Sequence, residues 1–156
     1  MKTYKYDIRF SEDRLPMLVK ECAVVYNTQI IHCNPEEIAE WYMYDYGAVS
    51  FVKEKVMLLA YDNQLKLIGI HELSSGTINA SIVNPRDVFQ IALALGAISI
   101  VLVHNHPANN IKPSSEDLNV MRRIKECGEL LGIKLNDFII VGNGCYFSAK
   151  QENELC

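Results

Sequence analysis

No apolar run in this chain reaches the roughly 18 residues that a membrane-spanning helix needs. Its first ten residues, MKTYKYDIRF, are polar and alternating rather than leader-like. Neither a membrane anchor nor a secreted product is therefore expected. No run of Lys or Arg occurs, the net charge is −4 and the pI is near 5.5. The electrostatic footprint of a protein that binds nucleic acid directly is missing. The five cysteines (Cys22, Cys33, Cys127, Cys145 and Cys156) are odd in number and never form C-x-x-C. A disulfide framework and a paired-cysteine zinc site are both excluded by that pattern, leaving free thiols in a reducing cytoplasm. No linker, repeat or low-complexity tract divides the 156 residues, so one domain is expected over 1–156. With 49% hydrophobic and 22% charged residues, it should be globular.

What the chain does have is concentrated in HNHPANNIKPSSED, residues 104 to 117. His104 and His106 stand one residue apart, so on an extended segment both side chains share one side and Asn105 points away. Pro107 ends that strand, because it cannot donate to a ladder. Asn109, Asn110 and Pro113 suit a loop that folds back. Asp117 then adds a carboxylate to two imidazoles. Three such ligands with a fourth position left open are the donor set of a catalytic zinc site. Ser114 and Asp117 also read as a helix cap, Ser at N-cap and an acid at N3, ahead of LNVMRRIKECGELLG. Cap and ligand are compatible, since Asp117 in a first helical turn can face a metal. The tripeptide HNH is no sign of a nuclease, whose motif is dispersed.

The rest of the chain alternates strands and helices. YKYDIRF (4–10) and MLVKECAVVY (17–26) read as strands. Asn34-Pro35 starts a helix ending at Gly47, whose Trp41, Tyr42, Tyr44 and Tyr46 pack rather than cage a ligand. KVMLLAY (55–61) and QLKLIGIHEL form a hairpin, broken by SSGT, and INASIV (78–83) is a short strand. Asn84-Pro85 starts a helix ending at Gly96. SIVLVH (99–104) is a strand of the kind buried on both faces. A helix from Ser115 stops at Gly132. IKLNDFIIVG and CYFSAK are the last strands, followed by a frayed QENELC tail. The order β(β)αβββαβαββ gives an α/β fold of three layers, a mixed sheet with flanking helices.

A metal site that activates water also needs a proton acceptor. Glu72 is chosen, because an acid set mid-strand among apolar neighbours is costly to bury without a purpose; on an exposed face it needs none. Alternation points His71 away from Glu72, and His32 has no motif around it. The Ser114 hydroxyl could donate to an oxyanion.

Together these residues resemble the JAMM motif of the JAB/MPN metalloprotease superfamily: a Glu, then H-x-H-P, six residues, then S-x-x-D. Here they are Glu72, His104, Asn105, His106, Pro107, Ala108 to Pro113, Ser114 and Asp117. The stretch HELSSGTINASIVNPRDVFQIALALGAISIVLVHNHP is similar to that of bacterial RadC-like JAB domains, a likeness covering about 34–150. Residues 1–33 are a divergent, strand-like extension. The resemblance implies a cytidine-deaminase-like fold, zinc on His104, His106 and Asp117, Glu72 as general acid/base and Ser114 as oxyanion stabiliser. It implies hydrolysis of a peptide or isopeptide bond through a metal-activated water. Ala108-Asn109 replaces the Ser-Gly that often follows HNHP. The 156 residues are expected to be too short to include the helix-hairpin-helix region of RadC proteins, and the zinc deaminase signature is not found in them.

The expected function is thus a zinc metallopeptidase acting on a peptide or protein substrate. The alternatives are a non-catalytic MPN-type binding module and a RadC-like protein associated with DNA repair. The N-terminal strand edge could pair with a second copy to give a homo-oligomer.

Overall fold

The computed structural model describes residues 2–25, 33–76 and 83–155. Seven strands form one mixed sheet: β1 (Lys2–Phe10), β2 (Pro16–Val25), β3 (Glu54–Tyr61), β4 (Leu67–Gly76), β5 (Ser99–Asn105), β6 (Lys134–Val141) and β7 (Tyr146–Ser148). Their order is β2-β1-β4-β3-β5-β6-β7. β1 runs parallel to β4 and β5 parallel to β6, while the other neighbours are antiparallel. Helix α1 (Pro35–Glu40) lies on one face, α2 (Pro85–Ala94) and α3 (Ser115–Leu131) on the other. This is the three-layer α/β arrangement that the order of elements predicts. No described helix is long and apolar enough to cross a membrane.

Alternation along β3 and β5 divides the core in two. Met57, Leu59, Tyr61, Val101 and Val103 pack with Ile38, Trp41 and Tyr42 on one face. Leu58, Ala60, Ile100 and Leu102 pack with Val88, Ile91, Met121 and Ile124 on the other. All seven residues of β5 are buried, which is why its sequence shows no polar alternation.

Four local expectations are corrected. The helix entered at Asn34-Pro35 is α-helical for six residues only. It then widens into a π turn over Trp41–Asp45, where the Tyr46 N–H donates to the Trp41 carbonyl. The wider turn lets three consecutive large residues, Trp41, Tyr42 and Met43, all be buried. Strand β4 is not broken at Ser74. Val56, Lys55 and Glu54 supply ladder partners for Ser74, Ser75 and Gly76, and a bulge between Val56 and Met57 absorbs the shift. The last strand is short, Tyr146–Ser148. The tail after it is not frayed. The Glu152 and Glu154 N–H groups donate to the Ser148 and Ala149 carbonyls, and Leu155 packs against the second core. The strand expected over 78–83 and His32 lie outside the described residues, Val83 excepted.

Candidate metal centre

Strand β5 carries His104 to its end with the imidazole buried at 5% exposure, edge-on to Phe138 at 5.2 Å. The main chain then follows β6, where the His106 N–H donates to the Val141 carbonyl at 3.0 Å. The loop turns back at once. Asn109 adopts φ 57° and its N–H closes on the His106 carbonyl at 2.9 Å. That turn presents the Asn110 carbonyl to His106 Nδ1 at 2.5 Å. A carbonyl only accepts, so Nδ1 carries the proton and Nε2 offers a lone pair.

The cap reading of Ser114 and Asp117 holds, and the same carboxylate also reaches the two imidazoles. Ser114 caps α3, its Oγ accepting from the Asp117 N–H at 3.1 Å. Asp117 Oδ2 accepts from the Ser114 N–H at 2.8 Å and from the Ser114 hydroxyl at 2.7 Å. The same carboxylate places Oδ1 3.5 Å from His104 Nε2 and Oδ2 3.5 Å from His106 Nε2. The two Nε2 atoms are 3.0 Å apart.

The two imidazoles thus stand 3.0 Å apart at Nε2 and each lies 3.5 Å from a different oxygen of the Asp117 carboxylate, with one ligand atom per residue all within 4.8 Å of one another. Tetrahedral ligands bound to zinc at roughly 2.0–2.1 Å stand about 3.3–3.4 Å from one another. The donor set and its spacing therefore fit a small divalent cation, and His104, His106 and Asp117 are the residues that could hold it. The two imidazoles are shifted in opposite directions. Burial pushes the His104 imidazole down to about 4, so it is neutral at pH 7. The bond to Asp117 raises His106 above its ordinary value. Burial pushes the Asp117 carboxyl upward, but the bond to His106, the proximity of His104 and the bonds from Ser114 outweigh it. The carboxyl is held well below the usual carboxylate range.

Glu72 is not brought to this cluster. It stands opposite Met57 in the β3–β4 ladder, and Met57 stands opposite Val103. Its side chain is therefore on the Val103 face, whereas His104 faces the other way. There it accepts from the Tyr46 hydroxyl at 2.8 Å and pairs with Lys55 at 3.4 Å and Lys5 at 3.6 Å. The neighbouring His71 Nδ1 meets the Tyr6 carbonyl at 2.6 Å. Both residues thus tie β1 and the aromatic turn to β4.

The acid that does reach the cluster is Glu54, at the start of β3. It shares the face of Val56, which pairs with His104. With Val83, His104, Asp117 and Phe138 it lines a small cavity of about 40 Å³. With Val52, His106, Pro107, Lys112 and Ser114 it lines an open one of about 330 Å³. Burial raises its carboxyl pKa, the charge of His106 lowers it and that of Asp117 adds to the rise. Sequence reasoning passed over it. The available signal was an acid directly before the apolar run KVMLLAY, on a strand that could lie antiparallel to β5.

The model of the RadC-like JAB domain matches residues 32–155. A UPF0758 protein of Clostridium kluyveri is 43% identical over 123 residues, 79% of this chain and 53% of the relative. The Clostridium tetani counterpart is 42% identical, over 78% of this chain and 53% of the relative. That of Thermotoga maritima is 40% identical, over 73% and 51%. The chain thus spans about half the length of these curated relatives.

Proposed function

From the premise that the chain belongs to the RadC-like JAB domain family, we propose that it is a zinc-dependent metallopeptidase or isopeptidase. The observation that carries this reading is the pair of imidazoles 3.0 Å apart at Nε2, each 3.5 Å from an oxygen of Asp117, with Glu54 lining the same small cavity. A zinc ion there supplies Lewis acidity, polarising a substrate carbonyl and making water acidic at neutral pH.

The chain's own residues do the rest. His104, His106 and Asp117 hold the ion. Glu54 takes the proton of the attacking water and returns it to the departing amine, and its burial-raised pKa suits both duties. Glu54 replaces Glu72 in this role because it faces the cluster. Ser114 lines the larger cavity with Glu54 and His106. Its hydroxyl proton goes to Asp117, so stabilising an oxyanion requires that hydroxyl to turn toward the substrate. The substrate is a peptide or protein, bound along that cavity. A cytoplasmic setting goes with this reading, since Cys22, Cys33, Cys127 and Cys145 are free thiols.

Metal content of the purified protein, with Asp117→Ala as control, tests the centre. About one zinc per chain, absent from the control, is expected. A peptide-library digest then tests the reaction. Zinc-loaded protein that cleaves nothing in such a library overturns the peptidase reading and leaves the metal centre standing.

A further inference from the structure

Asn105, the middle residue of HNH, is 3% exposed although it is polar. Its carboxamide does the work of a peptide group. Oδ1 accepts from the Lys55 N–H at 2.9 Å, and Nδ2 donates to the Lys53 carbonyl at 3.1 Å. Lys53 and Lys55 are the two neighbours of Glu54.

The need for this bridge is visible in the ladders. The β3–β5 pairing ends at Val56 opposite His104. Beyond that point the ladder on the other side of β5 continues, the His106 N–H donating to the Val141 carbonyl of β6. The start of β3 keeps its β4 partners, Glu54 opposite Gly76 and Lys55 opposite Ser75. On the other side it has no main-chain partner in β5. A side chain there must both donate and accept, and a carboxamide does both. A third bond helps: the Tyr42 hydroxyl donates to the Lys55 carbonyl at 2.8 Å.

We propose that Asn105, seconded by Tyr42, is a positioning residue that clamps residues 53–55 and so aims Glu54 at the His104–His106–Asp117 cluster. The histidines and their intervening Asn then have separate duties on one strand end. The imidazoles go to the metal on one face, and the carboxamide sets the proton-transferring acid. This rests on the assignment of Glu54 given above.

Cobalt(II) is the probe, because its visible spectrum reports the groups around the ion without requiring a substrate. The full chain is loaded as wild type and as Glu54→Gln, Asn105→Ala, Tyr42→Phe and the Glu54→Gln/Asn105→Ala double variant. Cobalt affinity is expected to stay within about threefold of wild type in all of them, against the 10–100-fold loss typical when a group supporting a metal ligand is removed. The Asn105→Ala spectrum should move in the direction of Glu54→Gln, and the double variant should show no further shift.

Tyr42→Phe should move it the same way to a smaller extent. It guards against an Asn105 variant that fails to fold, since Tyr42 reaches residues 53–55 independently, through the Lys55 carbonyl. Wild-type spectra in Asn105→Ala or, where that variant does not fold, in Tyr42→Phe overturn the clamp. So does a tenfold or greater loss of cobalt affinity in Asn105→Ala, which would make Asn105 a support for the ligands instead. A Glu54→Gln spectrum equal to wild type overturns the assignment of Glu54, and the clamp with it. Wild-type protein that takes up no cobalt overturns the metal reading itself, before any variant is compared.

Discussion

The Tyr46 hydroxyl donates to the Glu72 carboxylate at 2.8 Å, joining the turn after α1 to the middle of β4. With Lys5 and Lys55 that bond makes Glu72 a structural anchor of the N-terminal hairpin. Glu72→Gln is expected to leave zinc content unchanged and to cost up to about 1.5–3 kcal/mol of stability, the scale of hydrogen bonds to a charged group. Urea unfolding with parallel metal analysis checks both. Burial pushes the Glu72 carboxyl up, but Tyr46, Lys5 and Lys55 together hold it below its ordinary value of 4.5. Its contribution is therefore complete above that ordinary value and is lost as pH falls through the lower folded one. The wild-type protein should lose stability on acidification more steeply than Glu72→Gln. Equal slopes would show that the anchor carries no charge-dependent stability.

Glu54→Gln should retain one zinc per chain and lose about 10²–10⁴-fold in turnover of any peptide the protein cleaves, the usual worth of a positioned acid/base. Near-wild-type turnover would remove Glu54 from the mechanism.

The double duty of Asp117 can be separated. Ser114→Ala removes the N-cap acceptor and should cost about 0.5–2 kcal/mol of stability while zinc still binds. Asp117→Asn keeps a side-chain oxygen toward Ser114 but gives up the charge facing two imidazoles, so zinc should be lost with a smaller change in melting temperature. Calorimetry with and without chelator reads the two effects apart.

Thiol reactivity should follow exposure. Cys22 and Cys145 are exposed and should react quickly with a disulfide reagent at pH 8. Cys33 is buried, and burial pushes its thiol up to about 11, so it should remain unreacted until the protein is unfolded. Fast modification of Cys33, read by mass spectrometry, would contradict the packing around α1.

Gly128→Ala should destabilise the protein, against the roughly 1 kcal/mol gain that Ala brings to an ordinary helix interior. A Cβ at Gly128 meets the Ile133 carbonyl oxygen at 2.3 Å and Phe89 Cζ at 3.4 Å. The backbone after α3 must shift to admit it, at a cost of about 1–3 kcal/mol. Chemical denaturation decides the sign.

Much of the fold was legible because its signals are local. Asn34 and Asn84 each cap a helix that begins at Pro, accepting from the N–H of residue 36 and of residue 86. Gly132 ends α3 in the left-handed conformation, at φ 71°. The uniform hydrophobicity of SIVLVH meant burial on both faces, and it is so buried. The π turn was not legible, because its cause is the packing of Trp41, Tyr42 and Met43 against a sheet whose strands are distant in sequence. The continuation of β4 through Ser74 was hidden likewise. Serines and glycine read as a break until β3 supplies partners for them.

By itself, the sequence determined the grouping of His104, His106 and Asp117, which could hold a metal ion. His104 and His106 share a face because strand side chains alternate, and Asp117 sits in a first helical turn because Ser114 caps it. These relations are set by bonds a few residues apart. Which acid joins them was decided only by the tertiary structure. Alternation says which residues of one strand share a face, but not which face of that strand aligns with which face of another. Cross-strand register put Glu72 on the Val103 side and Glu54 on the His104 side. It also gave Asn105, which alternation alone only turns away from His104 and His106, two backbone groups to hold beside Glu54.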